Sequence, residues 1–307
     1  FEKLRPSKDE LISIYSISYT PEEINQAIDN LIEKEYVIYL KRSNNYLRLK
    51  QTSGVDIRQK IHDLVEVQSK RITVKETLNN SNFDNYVYPS RYNNEHDMIR
   101  FFSFQFIDES EVTEDVNWKV KSENIEADGV IYGIIPHSEE SIAKLKDIII
   151  STSKECDRFI FILPRHFSEI EDIVREFNAV SILRDNAADD KVLFDEYEVI
   201  YEDLREVINS FMRGYTRPEE YKSRYVYNGK EVLVSRKAAL TELMSQICDQ
   251  VYSCTPVINN EAMNKNEITP TANNSRNKIV SALLRNELEP NLGLTGSGQE
   301  VSIMRST

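Results

Sequence analysis

Two uninterrupted apolar runs, Gly129-Val-Ile-Tyr-Gly-Ile-Ile135 and Phe159-Ile-Phe-Ile-Leu163, constrain this chain more than any other feature. A strand with one wet face alternates apolar with polar residues, whereas a continuous run of strand length is buried on both faces. Between the two runs, Ile142, Leu145, Ile148 and Ile149 fall inward at helical spacing, which predicts a helix over 138–153. Ser168-Glu-Ile-Glu171, following Pro164, reads as the cap of another helix. A third strand is expected in the alternating second half of Met98-Ile-Arg-Phe-Phe-Ser-Phe-Gln-Phe-Ile107. Strand, helix, strand, helix implies parallel pairing and a small α/β domain, placed at 96–214 with a long acidic helix over about 189–211.

The first 52 residues read differently. Ser7-Lys-Asp-Glu10 has the capping-box pattern, and Thr20-Pro-Glu-Glu23 repeats the start signal with Pro at the first helical position. Ile24, Ala27, Ile28, Leu31 and Ile32 then form one stripe expected to be buried. Val37–Leu40 and Tyr46–Leu49 read as strands around the turn Ser43-Asn44-Asn45. Helix, turn, helix, hairpin is the order of a winged helix-turn-helix, assigned to 1–52. A helix at 55–68 and a polar stretch with scattered aromatics, a linker that lies against something, occupy 53–95. Residues 215–307 are expected to hold a hairpin around Asn228-Gly229, the strongest short turn signal, and a helical region. The fold class is therefore mixed α/β and α+β, and multidomain.

The chain begins without Met or a signal-peptide core, and VSIMRST breaks off in what reads as the first turn of a helix. An internal piece of a larger cytoplasmic protein, incomplete at its C-terminus, is the expectation. No apolar run has membrane-spanning length. Cys156, Cys248 and Cys254 are odd in number and lack CxxC spacing, so they fit a reducing compartment rather than a zinc site; the first two read as small core filler.

Charge narrows the function classes. The net charge is −13, yet residues 1–90 hold 13 Lys/Arg against 13 Asp/Glu, so the deficit lies wholly beyond them. An acidic body repels phosphate backbones. The second helix would be the recognition helix of a winged fold. Of its outward residues, Asn25, Gln26 and Asn30 could pair with base edges, but Glu22, Glu23, Asp29 and Glu33 against Lys34 bring the wrong sign to phosphate. The wing differs: Lys41, Arg42, Arg48 and Lys50 put four positive and no negative charges in ten residues. These four are the candidate phosphate contacts on duplex DNA, against a protein-facing or purely structural wing.

Catalytic constellations are absent from the sequence. Gly293 to Gly298 has the first Walker A spacing, but Gln299-Glu300 replaces the required Lys and hydroxyl. Gly129 and Gly133 are not followed by a dinucleotide fingerprint. Asp189-Asp190 and Asp195-Glu196 read as a solvated helix face rather than metal ligands. His62, His96, His137 and His166 are dispersed; only His137 and His166 follow strand ends, where α/β proteins place ligands, and each reads as a loop histidine near a helix start. An enzyme site there requires both to converge in one cleft with a carboxylate. No catalytic, cofactor or metal residue is assigned to this segment.

Several stretches, taken in order, carry a resemblance. After the winged helix come Ser53-Gly-Val-Asp-Ile57, Ser90-Arg-Tyr-Asn-Asn-Glu-His-Asp-Met-Ile-Arg-Phe-Phe102, Asp128-Gly-Val-Ile-Tyr132, Phe159-Ile-Phe-Ile-Leu-Pro-Arg165, Ser275-Arg-Asn-Lys-Ile-Val280 and Asn291-Leu-Gly-Leu294. This order resembles the region downstream of the nucleotide-binding core in large bacterial P-loop ATPases, especially the BREX-type phage-exclusion ATPases of AAA-like character. The resemblance implies an ATP- and magnesium-using parent with its core before the winged helix, a homo-oligomer working with other defence subunits and with DNA or DNA-bound partners. It carries over no catalytic residue. The functional expectation is a non-catalytic middle segment of such an ATPase, coupling nucleotide state to DNA or partner binding; the alternative is a stand-alone protein-interaction or regulatory winged-helix module.

Overall fold

The computed structural model describes residues 7–33, 38–49, 54–68, 73–121, 123, 125–154, 156–255, 269–286 and 288–306. They form a mixed α/β structure with twelve α-helices, a two-stranded hairpin and a six-stranded mixed sheet. Helices α1 (Lys8–Tyr15) and α2 (Pro21–Glu33) precede the hairpin β1 (Ile38–Leu40) and β2 (Leu47–Leu49). Ser7 caps α1 by accepting from the Glu10 N–H, and Thr20 and Glu23 exchange hydrogen bonds at the start of α2. Ile24 and Ile28 of α2 bury against Leu47, with Ile32 partly buried. The stripe is narrower than its spacing predicts, because Ala27 and Leu31 stay exposed: this small unit has too few layers to cover them.

Helix α3 (Ile57–Gln68) leaves this unit, and α4 (Val74–Asn79), β3 (Tyr86–Val87) and α5 (Ser90–His96) follow. Thr73 and Glu76 close a reciprocal capping box on α4. The polar stretch beyond it is seated by its large side chains, since Phe83 packs against the core and Tyr92 is fully buried. Next come β4 (Phe102–Asp108), α6 (Trp118–Lys121), β5 (Gly129–Ile135), α7 (Glu139–Thr152) and β6 (Phe159–Pro164). Helices α8 (Glu171–Asn186) and α9 (Lys191–Thr216) then lead to β7 (Ser223–Tyr227), β8 (Lys230–Val232) and α10 (Lys237–Val251). Helices α11 (Pro270–Arg285) and α12 (Gln299–Ser306) pack on each other.

The sheet runs β3-β4-β5-β6-β7-β8, with β4, β5 and β6 parallel and the flanking pairs antiparallel. Every residue of β5 and β6 is buried. Val130, Tyr132, Ile134, Phe159, Phe161 and Leu163 meet Trp118, Leu145 and Ile149 of α6 and α7 on one face. Ile131, Ile135, Ile160 and Ile162 meet α8, α9 and α10 on the other. Two dry faces are what the uninterrupted apolar runs require.

Three expectations are corrected. The hairpin around Asn228-Gly229 does not open a separate C-terminal part. As β7 and β8 it continues the same sheet, because Tyr225 and Val226 bury on opposite faces beside β6. Helix α8 begins after Ile170 with no side-chain cap, so Ser168 does not start it. The acidic helix is not a wholly solvated face either: Asp189, Asp190 and Asp195 are exposed, but Glu196 and Asp203 are buried.

Gly129 and Gly133 serve packing. A Cβ on Gly129 would press into the Phe102 ring and lie 2.8 Å from the Arg158 carbonyl oxygen, and one on Gly133 would lie 3.0 Å from Phe106. The first strand pair closes only over a bare Cα. Gly129→Ala is therefore expected to lower stability by about 1–3 kcal/mol, read from urea unfolding. An unchanged midpoint would show that β4 and β5 have room to part.

Candidate functional site

The hairpin and α9, two stretches of opposite charge, meet. The hairpin turn puts Asn45 at positive φ and brings the Lys41 N–H onto the Tyr46 carbonyl at 2.8 Å. That geometry presents the Arg42 and Ser43 amides outward together, toward Asp203. The fully buried Asp203 carboxylate accepts from the Tyr39 hydroxyl at 2.7 Å and the Arg42 N–H at 2.8 Å. It also accepts from the Ser43 N–H at 3.0 Å and the Ser43 hydroxyl at 2.6 Å. Arg42 forks onto both oxygens of Glu176 on α8, at 2.7 and 3.1 Å, and Arg48 approaches Glu202 on α9 at 3.4 Å. A bidentate guanidinium–carboxylate pair fixes orientation as well as charge.

Electrostatics follow from this geometry. Burial alone raises a carboxylate's pKa. At Asp203 that is outweighed by hydrogen bonds from the Ser43 hydroxyl, the Arg42 N–H, the Tyr39 hydroxyl and the Ser43 N–H, which hold it below the ordinary aspartate value. The Tyr39 hydroxyl is pushed up by its burial and then by its bond to Asp203.

Of the four candidate phosphate contacts, Arg42 and Arg48 are thus turned onto carboxylates of the chain itself. Lys41 is half-buried and makes no ion pair among the described residues, and Lys50 lies outside them. On α2, Glu22, Glu23, Gln26, Asp29, Asn30 and Glu33 are exposed and Asn25 is half-buried, with Asp29 paired to Lys8; Lys34 lies outside the described residues. Nothing in the sequence marked Asp203 or Glu176 as the hairpin's partners. The one signal was the coincidence of a purely basic hairpin with a strongly acidic helix in the same chain.

The two strand-end histidines do not converge. His137 Nε2 stands 2.8 Å from Asp108, while His166 Nδ1 stands 3.3 Å from Glu139, and both rings are largely exposed. The bond to Asp108 raises the pKa of His137. Glu109 ties the same loops by accepting from the His137 N–H and the Ser141 hydroxyl, each at 2.6 Å. These contacts brace the loops at the ends of β4 and β5. The strand order never reverses, so the sheet lacks the switch-point crevice where open α/β sheets hold ligands.

Other groupings are equally structural. Glu95, His96 and Asp249 approach one another, but Arg91 already bonds Glu95 at 2.8 Å, Asp249 at 2.5 Å and Glu242 at 3.1 Å. His96 is buried, its ring 4.1 Å from that of Tyr92, and His62 is exposed beside Asp63. Cys156 and Cys248 are buried, and burial pushes the Cys248 thiol up to about 12, so it is not a thiolate nucleophile at neutral pH. Glu300, in the Walker-like spacing, bonds Lys278 at 2.8 Å and joins α12 to α11. An open cavity of about 760 Å³ at the N-terminal ends of β5 and β6 is lined by Lys119, Asp128, Asp157, Arg158 and Gln250 among others, with charges of both signs.

Compared with known proteins, the chain matches no family model, no curated protein and no solved structure. No described helix is long and apolar enough to cross a membrane.

A carboxylate with a depressed pKa contributes stability that is present above its unfolded pKa and lost as pH falls through the folded value. Asp203→Ala leaves several buried donors without an acceptor. It is expected to cost about 2–4 kcal/mol at pH 7, and the gap from the native chain should narrow below the ordinary aspartate pKa of about 3.9. Urea curves at pH 7 and at acid pH read both; a loss below about 0.5 kcal/mol at pH 7 would mean that this carboxylate does not hold the hairpin.

Proposed function

We propose that this chain is the non-catalytic middle segment of a large BREX-type ATPase of anti-phage defence, and that its hairpin is the wing of a winged helix-turn-helix clamped on an acidic helix. The observation that carries this reading is the seating of Tyr39, Arg42 and Ser43 on Asp203, with Arg42 forked on Glu176. In the clamped form Glu176, Glu202 and Asp203 take the places that DNA phosphates occupy on an open wing. Release of the wing frees Arg42 and Arg48 to join Lys41 and Lys50 on a duplex backbone. Nucleotide state in the parent's core, with its ATP and magnesium, is coupled to DNA through this clamp.

The order of quoted motifs supports the family assignment, and the Ser7–Tyr46 backbone bridge supports the winged-helix assignment by tying α1 to the hairpin. Assembly into a cytoplasmic homo-oligomer with other defence subunits belongs to the same reading. One observation favours the second reading, a stand-alone interaction or regulatory module: Ile14, Tyr15, Ile17 and Tyr19 are exposed around the α1–α2 turn. Walker motifs encoded upstream of Phe1 favour the ATPase, and an unrelated domain there favours the module.

Duplex-DNA binding tests the clamp. A Glu176→Gln, Asp203→Asn variant is expected to bind at least about tenfold more tightly than the native chain at low salt. That binding should fall steeply with salt, as counterion release dictates, and vanish when Lys41, Arg42, Arg48 and Lys50 are also changed to Ala. Failure of the unclamped variant to bind would make the hairpin a fixed strut and leave the interaction module standing.

A further inference from the structure

The chain holds 51 acidic and 38 basic residues, so an arginine that is half-buried ordinarily has a carboxylate beside it. Arg91, Arg100, Arg175, Arg184 and Arg213 are half-buried, and each is salt-bridged. Arg165 and Arg224 are equally half-buried, yet neither guanidinium forms an ion pair or a hydrogen bond among the described residues. The Nε atoms of both are buried without a partner, as is that of Arg100, whose Nη1 nonetheless reaches Asp128. Such donors are costly to leave unmet, and each requires a physical reason.

Their placement supplies one. Arg224 on β7 stands opposite Leu163, and the Arg165 N–H bonds the Lys222 carbonyl at 2.7 Å, which continues the same ladder. Side chains alternate along a strand, so Arg165 and Arg224 emerge on one face as diagonal neighbours, about 7–8 Å apart at the backbone. That is the face covered by α7, from which Lys146 reaches Glu231 of β8 at 3.0 Å. Lys146 first, then the fields of Arg224 and Arg165, hold Glu231 below the ordinary glutamate value. Lys146 thus already engages Glu231, which lies diagonally from Arg224 across the β7–β8 ladder, and Arg165 and Arg224 add positive charge at the end of β6 in a chain of net charge −13.

We propose that Arg165 and Arg224, with Lys146 beside them, form a binding site for a phosphate group on a small molecule. Two guanidinium forks on one face of the sheet suit the oxygens of a tetrahedral dianion, and a dianion answers the local charge better than a monocarboxylate does. Glu231 sets a ceiling on affinity by repelling the same ligand. The site lies on the opposite face of the sheet from α8 and α9 and is independent of the hairpin clamp.

Calorimetric titration of the 307-residue chain with inorganic phosphate at fixed ionic strength tests this. Saturable binding is expected, about tenfold or more weaker in Arg165→Ala and in Arg224→Ala. Arg224→Lys keeps the charge and guards against misfolding; it should weaken binding too, because a point charge replaces a fork. Glu231→Gln should tighten it, and Arg184→Ala, which breaks ion pairs with Asp185 and Glu198 on the other face of the sheet, should leave it unchanged. Absence of saturable binding to the native chain, equal binding of acetate, or equal losses in Arg184→Ala and Arg224→Ala would each overturn the assignment.

Discussion

Burial of β5 and β6 on both faces is the constraint on which the structure depends. A strand with two dry faces needs two covering layers, and each layer must carry its own apolar stripe. On one side α6 and α7 supply Trp118, Leu145 and Ile149; on the other, α8, α9 and α10 supply Val174, Ile208, Met212 and Met244. The crossovers through α6 and α7 fall on one face, so consecutive strands add in one direction. The same topology that packs the core removes the crevice in which many α/β proteins do their chemistry. The titratable groups at the strand ends are accordingly spent on bracing loops: His137 on Asp108, Ser141 on Glu109, His166 on Glu139.

Helix α9 connects that core to the N-terminal unit. Its 26 residues have two working lengths. The later one puts Ile208, Met212 and Tyr215 under the sheet, where the Tyr215 hydroxyl reaches the Ile134 carbonyl at 3.0 Å. The earlier one packs Tyr197 and Leu204 with Ile57 and Ile61 of α3 and places Asp203 under the hairpin. Neither the basic hairpin nor the acidic helix is intelligible alone. Together they are complementary halves of one contact, and the buried half depends on hydrogen bonds to Asp203 rather than on charge alone.

Legibility in the sequence divides along range. Signals that act within one turn or one strand were plain: the caps at Ser7 and Thr20, the Asn228-Gly229 turn, the inward stripe of α7, the two-faced strands. Contacts made across the chain were not. Arg42 and Glu176 are 134 residues apart, and Ser43 and Asp203 are 160 apart, so no local pattern names either partner. For the same reason Tyr225 and Val226 looked like a separate hairpin, when β6 was the neighbour that buried them. Of the candidate site, the cationic character of the hairpin was legible and its orientation was not; Arg165 and Arg224 were unremarkable until the ladder set them side by side.

The ends of the sheet have a consequence of their own. Its outermost strands are the two shortest, β3 of two residues and β8 of three. An edge that offers so few free backbone groups is a poor template for another strand, the usual way in which natural sheets avoid joining edge to edge. This sheet is therefore closed to growth although it is not a barrel. Copies of this chain gain little by pairing along these two edges, which leaves the six strands to the core.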